Sequence, residues 1–175
     1  MRKVILYVAT SLDGYLAEEQ GGLDWLHGEN PEEISPWYEE FYHSIDTILM
    51  GKKTYEQIAQ ELSPEFWIYG DKESYVFTHE NQDNLDHIQF TDKKPSELLR
   101  YLKNRKGKDI WLCGGADLIA QMMEEDLIDV VHLSLIPTLL GKGIPLFPKN
   151  EGEKRLSLES VKNDNGIVDL VYVKK

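Results

Sequence analysis

Apolar residues fall in short blocks whose period changes along the chain. Residues 4–9 are almost continuously apolar and rich in β-branched side chains, which predicts a strand buried on both faces. Residues 46–50, 110–113 and 130–137 repeat that character, and residues 67–69, 75–78 and 88–90 are further strand or near-strand segments. Elsewhere the spacing is helical: Trp37, Tyr38, Phe41 and Ile45; Tyr55, Ile58, Ala59 and Leu62; Leu98, Leu99 and Leu102; Leu118, Ile119, Met122 and Met123. Ser35-Pro36 predicts the start of the first helix, with serine at the cap and proline at the first position. Residues 10–27 have no sustained period and predict a long loop holding a short hairpin. Two alternating runs near the end, 156–161 and 167–173, flank Asn165-Gly166, a hairpin signal. The order β-α-β-α-β-β-α-β-α-β-β-β predicts one α/β domain over residues 1–175. It has three layers, a mainly parallel central sheet flanked by helices, and a C-terminal antiparallel hairpin at one edge.

Composition narrows the function. A length of 175 residues with 41% hydrophobic and 29% charged positions is that of an ordinary globular domain. No apolar run is long enough for a membrane helix, and the apolar start leads into Ser11-Leu12-Asp13-Gly14 rather than a small-residue cleavage site, so a cytoplasmic protein is expected. A net charge of −12 argues against a nucleic-acid partner. The one cysteine, Cys113, leaves no internal disulfide or cysteine-built metal cluster, and is expected to be buried and inert. No metal site is predicted. Trp67, Trp111 and Phe147 are assigned to the core.

Two places combine a strand, glycine and a helix. Residues 110–113 lead into Gly114-Gly115 and then a helical run; residues 46–50 lead into Gly51-Lys52-Lys53-Thr54 and a second. Glycine leaves room for a ligand against the backbone, and a helix start exposes unpaired N–H groups, so such a turn suits a phosphate. The glycine dipeptide alone reads as a plain tight turn. Ligands of parallel sheets bind beyond the carboxyl ends of the strands, where both turns should lie. Lys52, Lys53 and His79 then supply local cations in an acidic protein, the lysines as point charges. Asp13 is either an Asp-Gly turn residue or a group that meets the substrate.

Five motifs occur in order over nearly the whole chain: A-T-S-L-D-G-Y-L-A from Ala9, L-M-G-K-K-T-Y-E from Leu49, V-F-T-H from Val76, L-C-G-G-A-D-L from Leu112 and I-P-T-L-L-G-K-G-I-P-L-F from Ile136. This set resembles the dihydrofolate reductase-like superfamily, most closely the riboflavin biosynthesis reductase branch, the C-terminal domain of the deaminase/reductase. The resemblance implies an NADPH-dependent oxidoreductase acting on a small pyrimidine- or pterin-like molecule, first 5-amino-6-(5-phosphoribosylamino)uracil. The alternatives are dihydrofolate reduction and a non-catalytic nucleotide-binding module of the same fold.

Its cofactor contacts map onto Ala9 and Thr10 beside the nicotinamide. Gly51, Lys52, Lys53 and Thr54 match a phosphate turn, Thr78 and His79 the grip on the adenosine 2′-phosphate, and Gly114, Gly115, Ala116, Asp117 and Leu118 the pyrophosphate turn. Asp13 is the catalytic and substrate candidate. Glu33 and Trp37 are substrate candidates beside the helix start at Ser35, where true dihydrofolate reductases carry an acid. No carboxylate falls squarely there, which counts against folate. The zinc deaminase half is absent. A homodimer is implied, paired through the C-terminal hairpin.

Overall fold

The structure, a computed structural model, describes residues 1–33, 35–148 and 152–175. Eight strands form one sheet in the spatial order β5-β4-β3-β6-β1-β7-β10-β9. They are β1 (Val4–Ser11), β3 (Ile45–Gly51), β4 (Glu73–Phe77), β5 (Ile88–Thr91), β6 (Asp109–Gly114), β7 (Val130–Ile136), β9 (Leu156–Asp164) and β10 (Ile167–Lys174). The first six in this list are mutually parallel; β10 runs antiparallel to β7 and to β9. The expected mainly parallel α/β fold with an antiparallel hairpin is thus present.

The continuous apolar runs are explained by burial on both sides. Val4, Leu6, Val8, Leu49, Ile110 and Leu112 face α3 (Pro95–Lys103) and α4 (Ala116–Glu124), meeting Leu98, Leu99, Leu102, Leu118, Ile119 and Met122. Tyr7, Ile48, Met50 and Trp111 face the opposite way, toward α1 (Pro36–Ser44) and the helix that starts as α2 (Lys52–Gln57) and ends in a π-helical turn, Ile58–Leu62. Strand alternation therefore splits one apolar sequence between two cores.

Several local expectations change. Ile45, placed on a helical stripe, opens β3 instead; α1 stops at Ser44 and Ile45 is fully buried in the second core. Ser35 holds the N-cap position of α1, yet its hydroxyl makes no cap bond and is buried with no partner among the described residues. Residues 67–69 form turns rather than a strand: Gly70 N–H donates to the Trp67 carbonyl at 3.1 Å, and Trp67 and Tyr69 pack edge to face in an aromatic cluster. Phe147 is 38% exposed because its neighbour Leu146, at 3%, takes the core position.

The long loop holds no hairpin of its own. Its strand β2 (Tyr15–Ala17) pairs with the distant β8 (Ile144–Pro145), which binds the loop to the Gly/Pro-rich segment across the molecule. The Asn165-Gly166 hairpin forms as expected, with φ of 51° and 75° at its two central residues, the geometry of a type I′ turn. Its tip also clamps the loop before α1, since Asn165 Oδ1 accepts from the Asn30 N–H at 2.8 Å and Asn165 Nδ2 donates to the Asn30 carbonyl at 2.8 Å.

Candidate functional site

Because the six parallel strands point one way, their carboxyl ends form a single rim. Ser11, Gly51, Phe77, Thr91, Gly114 and Ile136 are its strand-end residues. The central strands β3 and β6 are neighbours, and Met50 pairs with Gly114. The two glycine turns therefore stand side by side. A Cβ on Gly115 would lie 3.1 Å from the Thr54 hydroxyl oxygen, and one on Gly51 would lie 3.8 Å from the Gly115 nitrogen. Gly114 has φ of +136°, a conformation essentially reserved for glycine, and its peptide to Gly115 is cis. Behind it α4 begins at Ala116, so the N–H groups of Ala116, Asp117 and Leu118 are first-turn donors without intrahelical acceptors. Asp117 is exposed and the Leu118 side chain is buried in the core, which leaves backbone as what these residues offer a ligand. The arrangement is a cradle that a side chain would fill, and it fits a pyrophosphate.

On either side lie the other candidates. β1 is adjacent to β6, which puts Ala9 and the buried Thr10 beside the double-glycine turn. On the far side β3 pairs with β4, Gly51 opposite Phe77, so Lys52 stands next to Thr78 and His79. Lys52 is not a free cation: its ammonium is ion-paired with Glu80 and lies 3.5 Å from Glu56. The Glu80 carboxylate first, with Glu56 behind it, pushes the Lys52 pKa up. Lys53 and His79 are exposed. His79, Glu80, Phe90 and Asp92 help line an open cleft of about 280 Å³ here.

Asp13 follows the end of β1. Its carboxylate accepts from the Ser11 hydroxyl at 2.6 Å, the Leu140 N–H at 3.1 Å and the Gly141 N–H at 2.7 Å. The Ser11 bond first, then the Gly141 and Leu140 amides, lowers its pKa. Asp13 thus ties the S-L-D-G loop to the P-T-L-L-G segment. Glu33 accepts from the Asn30 side chain at 3.0 Å in the exposed loop before α1. Trp37 lies in the first turn of α1, with the Lys162 ammonium 4.1 Å from its ring centroid; its indole N–H is buried with no acceptor among the described residues. Burial pushes the Cys113 thiol up to about 12: the residue keeps some exposed area, but its sulfur is desolvated and stays protonated.

A buried polar group unforeseen in the sequence lies between these halves. Asp169 of β10, 2% exposed, accepts from Ser134 Oγ at 2.6 Å and contacts His132 Nε2 at 3.0 Å. Tyr7 of β1 stacks on the His132 ring at 4.1 Å, and burial pushes its phenol up to about 12, with Ser134 opposing the rise. Ala9, Ser134, Asp169 and Lys162 are cross-strand partners in one row, so this row runs from the nicotinamide candidate to the Lys162–Trp37 contact. The signal was available: His132 and Ser134 are polar at i and i+2 inside an apolar strand, and Asp169 interrupts another.

The model of the RibD C-terminal domain family matches residues 2–170. The chain belongs to the RibD C-terminal domain family. This RibD C-terminal domain protein is 41% identical over 174 residues to the uncharacterized protein YwjB of Bacillus subtilis (strain 168), covering 99% of this chain and 98% of that one. It is 32% identical over 183 residues to the uncharacterized protein YyaP of the same organism, covering 98% and 94%. Among solved structures, a putative riboflavin biosynthesis protein from Shewanella sp. PV-4 superposes with a TM-score of 0.87 at 27% identity, covering 99% of both chains. The Thermotoga maritima diaminohydroxyphosphoribosylaminopyrimidine deaminase/5-amino-6-(5-phosphoribosylamino)uracil reductase shares the fold, with a TM-score of 0.74 at 16% identity over 99% of this chain and 57% of that one. The fold is thus one shared with a riboflavin-pathway deaminase/reductase.

Proposed function

We propose that this chain is a reductase that takes hydride from NADPH and reduces a small pyrimidine- or pterin-like molecule, with 5-amino-6-(5-phosphoribosylamino)uracil as the first substrate to test. The observation that carries the reading is the side-by-side placement of the Gly51 and Gly114-Gly115 turns on the carboxyl rim, with Thr54 packed against Gly115. In this reading Gly114, Gly115 and the first-turn amides of α4 hold the pyrophosphate. Ala9 and Thr10 flank the nicotinamide, and Gly51 to Thr54 with Thr78 and His79 receive the adenosine end. When bound, the dinucleotide supplies the hydride, and the chain's own part is positioning and proton supply.

The substrate half is bounded by the Ala9–Ser134–Asp169 row and by the start of α1. Trp37 stands at that helix start, its indole N–H buried without an acceptor among the described residues and its ring against Lys162. Tyr7 and Ser134 hold exchangeable protons at the level of Ala9, and Asp169 with His132 backs them. A carbon–nitrogen double bond needs one hydride on carbon and one proton on nitrogen, so this group fits the second requirement. Asp13 holds the loop after β1 closed against residues 140–141 and so shapes the entrance. Dihydrofolate is the second substrate, and it lacks an inward carboxylate on α1: Glu39 and Glu40 are exposed.

Cofactor binding followed by protein fluorescence, then NADPH oxidation with both substrates, tests the reading. Binding below millimolar and turnover on one of them are expected, with Asp13→Asn lowering turnover. The absence of binding would sink the reductase reading, and binding without turnover would favour a non-catalytic module.

A homodimer accompanies this reading. Tyr172 packs on the first core and pairs with Leu158, and Leu170 pairs with Val161, so Leu158 and Val161 extend that apolar face outward at 54% and 52% exposure. Light scattering should give a dimer that Leu158→Glu dissociates; a monomer in the unaltered protein would refute it.

A further inference from the structure

We infer that Glu80 is a specificity residue that weakens this site's preference for a 2′-phosphorylated dinucleotide over one with a free 2′-hydroxyl. The inference rests on the dinucleotide reading above and concerns only its adenosine end.

The geometry starts from strand order. Gly51 pairs with Phe77, so the residues that follow them, Lys52 on α2 and Thr78–Glu80 after β4, meet on the rim. Lys52 is the cation best placed for a 2′-phosphate, and its side chain is 22% exposed. That cation is already satisfied. Glu80 ion-pairs with it directly, and Glu56 lies one helical turn on at 3.5 Å. Glu80 is itself fixed at its backbone, where its N–H donates to the Thr78 hydroxyl at 3.1 Å. Thr78, the other expected phosphate contact, accepts this bond and so holds Glu80 beside the Lys52 turn.

The adjoining cleft adds to the imbalance. It is lined by His79, Glu80, Asn81, Gln82, Phe90 and Asp92 among others, which is two carboxylates and no permanent cation. Phe90 offers a flat apolar surface, and its ring is met edge-on by Tyr55 at 5.3 Å. Such a lining suits an adenine and a neutral ribose. A carboxylate beside a ribose accepts a hydrogen bond from a 2′-hydroxyl. A 2′-phosphate instead brings about 1.5 to 2 negative charges. It must draw Lys52 away from Glu80 and then remain beside Glu80 and Asp92.

Exposure sets the size of the effect. Glu80 is 65% exposed at its side chain, so the pair is solvent-screened and the brake is partial. A factor of about 2 to 5 in relative affinity is the scale expected for one exposed charge contact.

The experiment measures NADPH and NADH affinities by protein fluorescence for the unaltered chain, Glu80→Gln and Lys52→Met. The unaltered chain should favour NADPH by no more than about tenfold. Glu80→Gln should tighten NADPH about 2- to 5-fold while leaving NADH equal or weaker, and the gain should shrink as salt is raised. Lys52→Met should weaken NADPH and leave NADH little changed. The inference is overturned if Glu80→Gln shifts both cofactors equally or moves NADPH less than about twofold. Failure of both cofactors to bind the unaltered chain is a different result; it removes the dinucleotide reading itself. Glu80 is exposed enough that its replacement leaves folding intact, which circular dichroism checks directly.

Discussion

Alanine in place of Gly115 should lower both stability and dinucleotide affinity, and removing the Thr54 hydroxyl should restore much of the stability. The added methyl would sit 3.1 Å from Thr54 Oγ1, tighter than side chains accept without a shift. Overpacking of this kind costs about 1 to 3 kcal/mol. Thr54→Ala removes the obstructing atom, so the double variant should be less destabilised than the sum of the singles, by about 1 kcal/mol. Gly114→Ala behaves differently. Its cost arises from φ of +136° rather than from a neighbour, since the nearest atom, again Thr54 Oγ1, is 3.8 Å away. It should lose about 1 to 3 kcal/mol whether or not Thr54 is present. Both glycine variants should weaken the dinucleotide about tenfold or more, equivalent to about 1.4 kcal/mol of the cradle's contact. Urea denaturation and fluorescence titration read the two effects separately. Equal rescue of both glycine variants by Thr54→Ala would contradict this division of roles, and unchanged cofactor affinity would contradict the cradle.

The same pair of turns shows how much a sequence of this kind discloses. Each strand–glycine–helix unit is local, and local signals survive folding: the two turns, the Asn165-Gly166 hairpin and the two-sided strands all appear where the pattern puts them. That the turns are neighbours depends on β3 and β6 being adjacent, although some sixty positions separate Gly51 from Gly114. Sheet order is a tertiary property, and the hydrophobic pattern does not supply it. The misread segments failed for the same reason. β2 is a strand only because the remote β8 pairs with it, and Trp67 and Tyr69 meet Tyr55 and Trp111 rather than a neighbouring strand.

Charge was the least legible feature. Glu56, four residues after Lys52 on one helix, could be foreseen as its partner. Glu80 could not, because it enters from the next strand of the sheet. Counting lysines near a glycine turn therefore overstated the positive charge available to a phosphate. The buried Asp169 was missed for a related reason: its partners Ser134 and His132 lie more than thirty positions away, and only the antiparallel register of β10 on β7 joins them.

Asp169 provides the sharpest separation of architecture from chemistry. Asp169→Ala would leave the Ser134 hydroxyl and the His132 ring nitrogen without their acceptor in a nearly water-free place, and should cost about 2 to 4 kcal/mol. Asp169→Asn keeps an oxygen within reach of Ser134 and should cost about 1 kcal/mol. It removes the charge that backs the proton on this row. If Asp169 acts only as architecture, the asparagine variant should reduce substrate at the unaltered rate once folded. If the row supplies the proton that accompanies hydride transfer, kcat should fall about 100-fold, the scale of lost acid–base assistance, while cofactor affinity holds. The split is readable because Asp169 sits on β10, with β7 and β1 between it and the double-glycine turn on β6, so a change at one end of the site leaves the other intact. A kcat loss that tracks the fall in stability, or a parallel loss of cofactor binding, would return Asp169 to a purely structural role.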